Sequence, residues 1–372
     1  MSEKINIETG DDSTNITGKT VSITNNYFQG LTEDKVSEII DKKLEMLNTV
    51  NVYTQEAYTL AENRIKKLEE IVIPRIAKID KTLGVFADPS FQSVLNDAVK
   101  VAAQTDEEES YKLLSELLSY KVEKPNDKSV KMDVTYAIDV IDKITDEALQ
   151  AITLFVALQT WGPASGIISQ GLKIFNNLFS RLLFSNLPAT DAWIDQLDIL
   201  KVIRILSFGR FPSLKELHKQ LFSGYVVCGI PKDSEKLNEI YQLLDECSIP
   251  RTCLIVNELN PDYFRLPIVN LNDIKFMDYI DPNTPFIHGR ISLNELQISK
   301  IKQIIGYYEN DFAKLNQIYE MFNEKWNSFE NLKIIGDWWS KLPYSFGVTS
   351  IGKVLAVTNA QRIDSTLPKL EL

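Results

Sequence analysis

Two histidines, His218 and His288, are all the imidazole this 372-residue sequence contains. A Ser-His-Asp or Cys-His centre would have to be built on one of them, and neither sits in a local signature of such a site. His218 falls on what the spacing marks as the exposed side of a short amphipathic helix. Both are read as structural histidines rather than bases or metal ligands. The three cysteines, Cys228, Cys247 and Cys253, are too few and too irregularly placed for a disulfide framework. Cys247 and Cys253, separated by Pro250, also lack the CxxC spacing that grips zinc. Reduced, buried thiols are the expectation.

Two loops come close to catalytic signatures and fail on chemistry. Gly166 to Gly171, followed by Leu172 and Lys173, has leucine where a phosphate-binding loop needs its lysine. Gly162-Pro163-Ala164-Ser165-Gly166 places its serine one position late for a nucleophile elbow. Among acidic residues, Asp106 to Glu109 reads as a helix start, because carboxylates stabilise the positive end of a helix. Asp139, Asp142 and Glu147 form the one cluster whose convergence would suggest a metal-dependent hydrolase, and solvent exposure is the expected outcome. No catalytic residue, metal site or cofactor is assigned, and an enzyme is the less favoured class. Lys215, Lys219, Lys232 and Lys236 could face a phosphate backbone from two helices. The interleaved Glu216, Asp233, Glu235 and Glu239 cancel most of that field, so nucleic acid is not an expected partner.

Around these residues, 44% hydrophobic and 24% charged content describe a folded globular chain, and a net charge of −11 argues against broad nucleic-acid binding. The expected fold is mostly α: a helical bundle with a short N-terminal β ribbon and a discontinuous winged-helix-like C-terminal domain. Residues 1–30 alternate β-branched with polar side chains and form the ribbon. Ile5, Ile7, Ile16, Val21 and Ile23 are its self-association face, since an isolated ribbon is marginal in water. Residues 31–190 form a helical domain. Val36, Ile39, Ile40, Leu44 and Leu47 trace a helical stripe that resumes at Tyr58, Ala61, Ile65 and Leu68, with Asn48 to Asn51 as an interruption. Ala148 to Leu172 carries no charge, but Gly162-Pro163 would break a spanning helix, so a pair of buried core helices is expected ahead of triggered membrane insertion. Residues 191–372 supply three amphipathic helices and two strands in winged-helix order. The third strand is drawn from Phe346 to Thr349, and a helical hairpin is inserted at about 291–330.

The C-terminal run from Tyr344 to Arg362, with Gly347, Val348, Thr349, Gly352 and Asn359, carries a resemblance to a known group. So do Gly10-Asp11-Asp12-Ser13-Thr14-Asn15, the acid-led helix Asp106 to Leu118, and Leu197 to Gly229. The chain resembles an uncharacterised bacterial family of helical proteins with a Gly-Asp-Asn-Ser-Thr-Asn-like N-terminal ribbon. More distantly it is similar to the abortive-infection alpha family. Asp12 departs from the usual Asn, a change a turn tolerates. The resemblance implies a cytoplasmic bacterial protein of antiphage defence. It would act as a homo-oligomeric, non-enzymatic sensor or effector with a phage-encoded protein as trigger, and with membrane as a partner only once triggered. No active-site residues come with it. The alternative class is a winged-helix nucleic-acid-binding regulator acting through the four lysines.

Overall fold

The computed structural model describes residues 33–280 and 288–369, and the chain divides into two compact units, Met1–Thr59 and Leu60–Leu372. In the first unit the described residues belong to α1 (Glu33–Ile79), which runs through Asn48 to Asn51 without a break. Leu44, Met46, Val50, Val52, Tyr53 and Tyr58 are all more than half exposed there. Thr49, Thr54 and Thr59 turn their hydroxyls back onto the carbonyls of Glu45, Val50 and Gln55.

In the second unit, Leu68, Val72 and Ile76 of α1 recur one helical turn apart and are buried. Next come α2 (Pro89–Gln104), α3 (Glu108–Glu123), α4 (Lys128–Ile141), α5 (Asp146–Thr160) and α6 (Ile168–Leu182). Their starts are legible locally. Asp88 caps α2, Asp127 caps α4 and Thr145 caps α5 by accepting backbone N–H bonds, while Glu108 and Glu109 open α3. Every residue from Ala148 to Leu158 is buried, so the uncharged stretch forms two core helices joined by residues 161–167. No helix among the described residues is long and apolar enough to cross a membrane.

The remainder alternates short strands with helices. In order these are α7 (Ala192–Ile199), β1 (Ile203–Ile205), α8 (Leu214–Leu221), β2 (Ile230–Pro231), α9 (Leu237–Glu246), β3 (Ile255–Val256), β4 (Tyr263–Arg265), β5 (Phe276–Ile280) and β6 (His288–Ser292). Then follow α10 (Glu295–Ile305), α11 (Phe312–Asn327), α12 (Glu330–Trp339), β7 (Phe346–Val348) and α13 (Ser350–Ile363). A large apolar core gathers α1 to α8 with α11 to α13; a smaller one gathers α9, α10 and the strands from β2 to β6. α13 closes the large core by packing on α3, α4 and α5. Buried polar ties hold it there. Asn359 donates to the Thr153 hydroxyl (2.9 Å) and accepts from Arg362 (2.9 Å), and Arg362 pairs with Glu109. Burial lowers the Arg362 pKa to about 10.

The mostly helical character holds, but the rest of the expected fold is corrected. The described strands lie between Ile203 and Val348 in three separate small sheets, ordered β1-β7, β2-β4-β3 and β5-β6, all antiparallel. β7 does not join the β3–β4 hairpin as the winged-helix reading required; it pairs with β1, and the hairpin takes β2. The cause lies just past β7. The Thr349 N–H and hydroxyl both bond the Val202 carbonyl (3.1 and 2.9 Å). Gly352 packs so closely that a Cβ there would sit 2.1 Å from the same oxygen. The expected N-terminal ribbon, with Ile5, Ile7, Ile16, Val21 and Ile23, lies outside the described residues, and the strands that are described are central and C-terminal.

Candidate functional site

Helices α5, α8, α12 and α13, strand β7 and the segment between β1 and α8 line an open cleft of about 1020 Å³. Its aromatic wall comes from the inward face of α5 (Phe155), the segment after β1 (Phe211), the last residue of α12 (Trp339) and the start of β7 (Phe346). Phe155 stacks on Trp339 (centroids 5.5 Å, 12° between planes), and Phe211 meets Phe346 edge to face at 4.8 Å. Such pairs hold one another in place beyond what area burial alone gives. The Trp339 indole N–H donates to the Pro212 carbonyl at 2.8 Å, pinning the segment that carries Phe211. Gln159 and Thr160, at the end of α5, border both this cleft and a neighbouring one of about 700 Å³.

The rim is charged. Glu216 is committed to a capping box with Ser213 at the start of α8, and those Ser213 hydrogen bonds hold its pKa down. Arg210 lies 3.7 Å from Glu216, whereas Lys353, exposed on the first turn of α13, has no charged partner among the described residues. The cleft is thus lined by rings that are largely buried against one another, by amides and backbone, and by a net positive rim. Its one carboxylate is held in a helix cap, an arrangement suited to binding.

The segment between β1 and α8 points one phenylalanine in and one out. Phe211 joins the aromatic wall, while Phe208 is 92% exposed, with Leu206 and Ile205 also substantially exposed beside it. Gly209 between them takes φ +110°, a backbone state that side chains rarely adopt, and this reversal separates the two rings.

The second cleft is walled by the α5–α6 connection, which is clamped from both sides. Gly166 donates its N–H to Asp278 on β5 (2.6 Å) and gives its carbonyl to Arg265 on β4 (2.7 Å). Arg265 is fully buried, also donates to the Gly224 and Leu266 carbonyls, and has its pKa lowered by desolvation. Asp278 also accepts from Arg290 at 3.0 Å. A Cβ on Gly166 would lie 1.8 Å from the Pro267 carbonyl, and one on Gly171 would lie 1.9 Å from the Tyr225 hydroxyl. The glycines that imitate a phosphate loop in sequence are there for close packing.

Residues singled out from sequence are scattered. His218 is not on an exposed face but wholly buried, its ring 4.4 Å from that of Trp326, among Phe222, Tyr319 and Phe322, with both nitrogens unpartnered. Desolvation drops its pKa to about 3. His288 begins β6. All three cysteines are buried free thiols, and burial raises each, Cys253 to about 12. Asp139, Asp142 and Glu147 are exposed, and no group of three or more His, Cys, Asp or Glu among the described residues is placed to hold a metal ion.

The lysines do not form one face. Lys215 bonds Asn316 and lies over the Tyr319 ring (4.5 Å), and Lys219 is exposed on the same helix. Lys232 lies over Phe264, and Lys236 pairs with Glu239. Phe211, Trp339 and Arg210, which shape the cleft, were not among the sequence candidates. Phe211 and Trp339 sit in loop and helix-end positions where an aromatic reads simply as core, and only their meeting reveals the cleft.

A protein-family model matches residues 30–371, nearly the whole chain. The chain belongs to that family. The description of the model names no activity, and neither a curated protein nor a solved structure matches the chain.

Proposed function

We propose that this protein is a non-enzymatic sensor of antiphage defence that binds a phage-encoded protein at the aromatic cleft and acts by abortive infection. The observation that carries the binding part is the cleft itself, with Phe208, 92% exposed, three residues before Phe211 of its wall. Ile205, Leu206 and Phe208 together expose apolar side chains on the segment that leads into the cleft wall, and a contiguous apolar patch of that kind supports a partner-binding reading. The defence context rests on the sequence resemblance. Self-association, the remaining part of the reading, draws support from the exposed apolar side chains on α1 in the first unit.

The test is growth of cells carrying the gene after phage challenge at low and high phage-to-cell ratios, with wild type, Phe208→Ser and empty vector compared. Survival at low ratio and collapse at high ratio are expected for wild type. Loss of protection is expected for Phe208→Ser, with a thermal midpoint unchanged because the ring has no folded contacts to lose. Protection that survives Phe208→Ser and Phe211→Ala together overturns the cleft; absence of protection across a varied phage panel overturns the defence reading.

A further inference from the structure

We propose that the occupant of this cleft is an extended segment of the partner protein that adds a strand to the free edge of β7. The inference rests on the protein-binding reading above and names the form of its partner. Three observations carry it.

The first is the ladder. Among the described residues β7 pairs with β1 alone, in the register Ile203–Val348, Arg204–Gly347, Ile205–Phe346. Leu206 donates to the Ser345 carbonyl and Thr349 donates to the Val202 carbonyl. Hydrogen-bonded pairs alternate along an antiparallel ladder, so Ser345, Gly347 and Thr349 face β1, while the N–H and C=O groups of Phe346 and Val348 point the other way. The same alternation turns the Ile205 amide outward on β1, and there it finds the Asp198 carboxylate at 3.1 Å. No such partner meets Phe346 or Val348 among the described residues.

The second is the place of that edge. Phe346, Gly347 and Val348 all line the cleft, although successive residues of a strand belong to opposite faces. The cavity touches three consecutive residues of the strand, and its unpaired edge is reached at the Val348 end, where that residue is only partly buried while Phe346 is buried. A Cβ at Gly347 would meet nothing within 4 Å, so the sheet face at that residue is open for a side chain of an added strand.

The third is charge. In a chain of net charge −11, the rim of this cleft carries Arg210 and Lys353 against the single, capped Glu216. An extended peptide with apolar residues at alternate positions would lay them against Phe155, Phe211 and Trp339, and acidic residues at its end would meet Lys353 and Arg210. Main-chain bonds would supply affinity and the aromatic wall specificity, the division usual in strand addition.

The experiment is selection of a random display library of roughly seven-residue peptides, about one strand's length, on the full chain. It is followed by amide hydrogen exchange and fluorescence anisotropy with the enriched peptides. Enriched sequences should alternate apolar residues with period two and carry acidic ends, and binding should slow exchange at Phe346 and Val348. N-methylation of the peptide amides that face β7 should weaken binding about tenfold, and N-methylation of the alternate amides should change it by less than about twofold. Val348→Pro, which removes an edge donor but none of the β1–β7 bonds, should weaken the same peptides; the N-methyl series carries the test should that variant misfold. Failure to enrich any peptide overturns the proposal, as does enrichment of sequences with helical spacing or an N-methyl series without alternation. Peptides that bind with helical spacing and compete with Phe211→Ala and Phe208→Ser effects would overturn strand addition alone and leave the protein-binding reading standing. Peptides insensitive to both of those variants would overturn the cleft itself.

Discussion

Replacing His218 with leucine should remove a specific part of the protein's acid sensitivity. The imidazole is fully buried among Phe222, Tyr319, Phe322 and Trp326, and no carboxylate among the described residues faces it, so desolvation alone sets its pKa at about 3. In the unfolded chain the same group titrates near the ordinary value of about 6.5. Between those two values the unfolded chain binds a proton that the folded chain refuses. Stability is therefore complete above about pH 6.5 and drains away as pH falls towards 3. At pH 5 the difference amounts to about 2 kcal/mol, and at pH 7.5 to almost nothing. His218→Leu should lose that slope while keeping whatever the carboxylates contribute, because they are common to both proteins. Leucine also removes two unpartnered buried nitrogens, each a cost of about 1 kcal/mol or more, against about 1 kcal/mol of ring contacts with Trp326, so the variant should be no less stable at pH 7.5. The assay is urea denaturation of both proteins at pH 7.5 and pH 5, read by tryptophan fluorescence. Equal losses of stability between the two pH values for wild type and variant would refute the assignment of His218 as a neutral, buried imidazole.

Three further outcomes follow from packing. Gly352→Ala should destabilise by at least about 2 kcal/mol in thermal melts, because its Cβ would fall 2.1 Å from the Val202 carbonyl and push α13 off the β1–β7 sheet. Asp278→Ala should cost about 2 to 4 kcal/mol in urea denaturation, since it strands the buried Gly166 N–H and leaves Arg290 without its partner. Met46, Val50, Tyr53 and Ala57 follow the four-three-four spacing of a coiled-coil seam on the exposed part of α1. Met46→Glu with Val50→Glu should therefore shift the protein towards monomer in analytical ultracentrifugation and lower its helical circular dichroism; unchanged mass would discount that seam.

Much of the helical framework is written locally. Asp88, Asp127 and Thr145 mark helix starts because a cap needs only its own next three residues, and Glu108-Glu109 open α3 for an equally local electrostatic reason. The uncharged Ala148 to Leu172 run dictates burial, and the Gly162-Pro163 break dictates two helices in place of one. Thiol chemistry was legible too, since three irregular cysteines leave little but burial. The sequence also supplies the period-3.6 stripe of α1, but not whether anything covers it.

Which strands pair is a different kind of fact. Phe346-Gly347-Val348 reads as a strand, but its choice of β1 over the β3–β4 hairpin depends on Thr349 and Gly352 meeting a carbonyl about 150 residues earlier, and no local pattern encodes a distance. His218 shows the same limit. Its helix looks amphipathic with the histidine outside, because a helical wheel cannot know that Trp326 and Phe322 arrive from α11 to cover that side. The cleft is tertiary throughout: four aromatics from α5, a loop, α12 and β7 would each pass as core residues, and only their convergence forms it. Local chemistry determines where elements begin, end and turn hydrophobic; long-range contact, settled by total burial, decides which surfaces are left open.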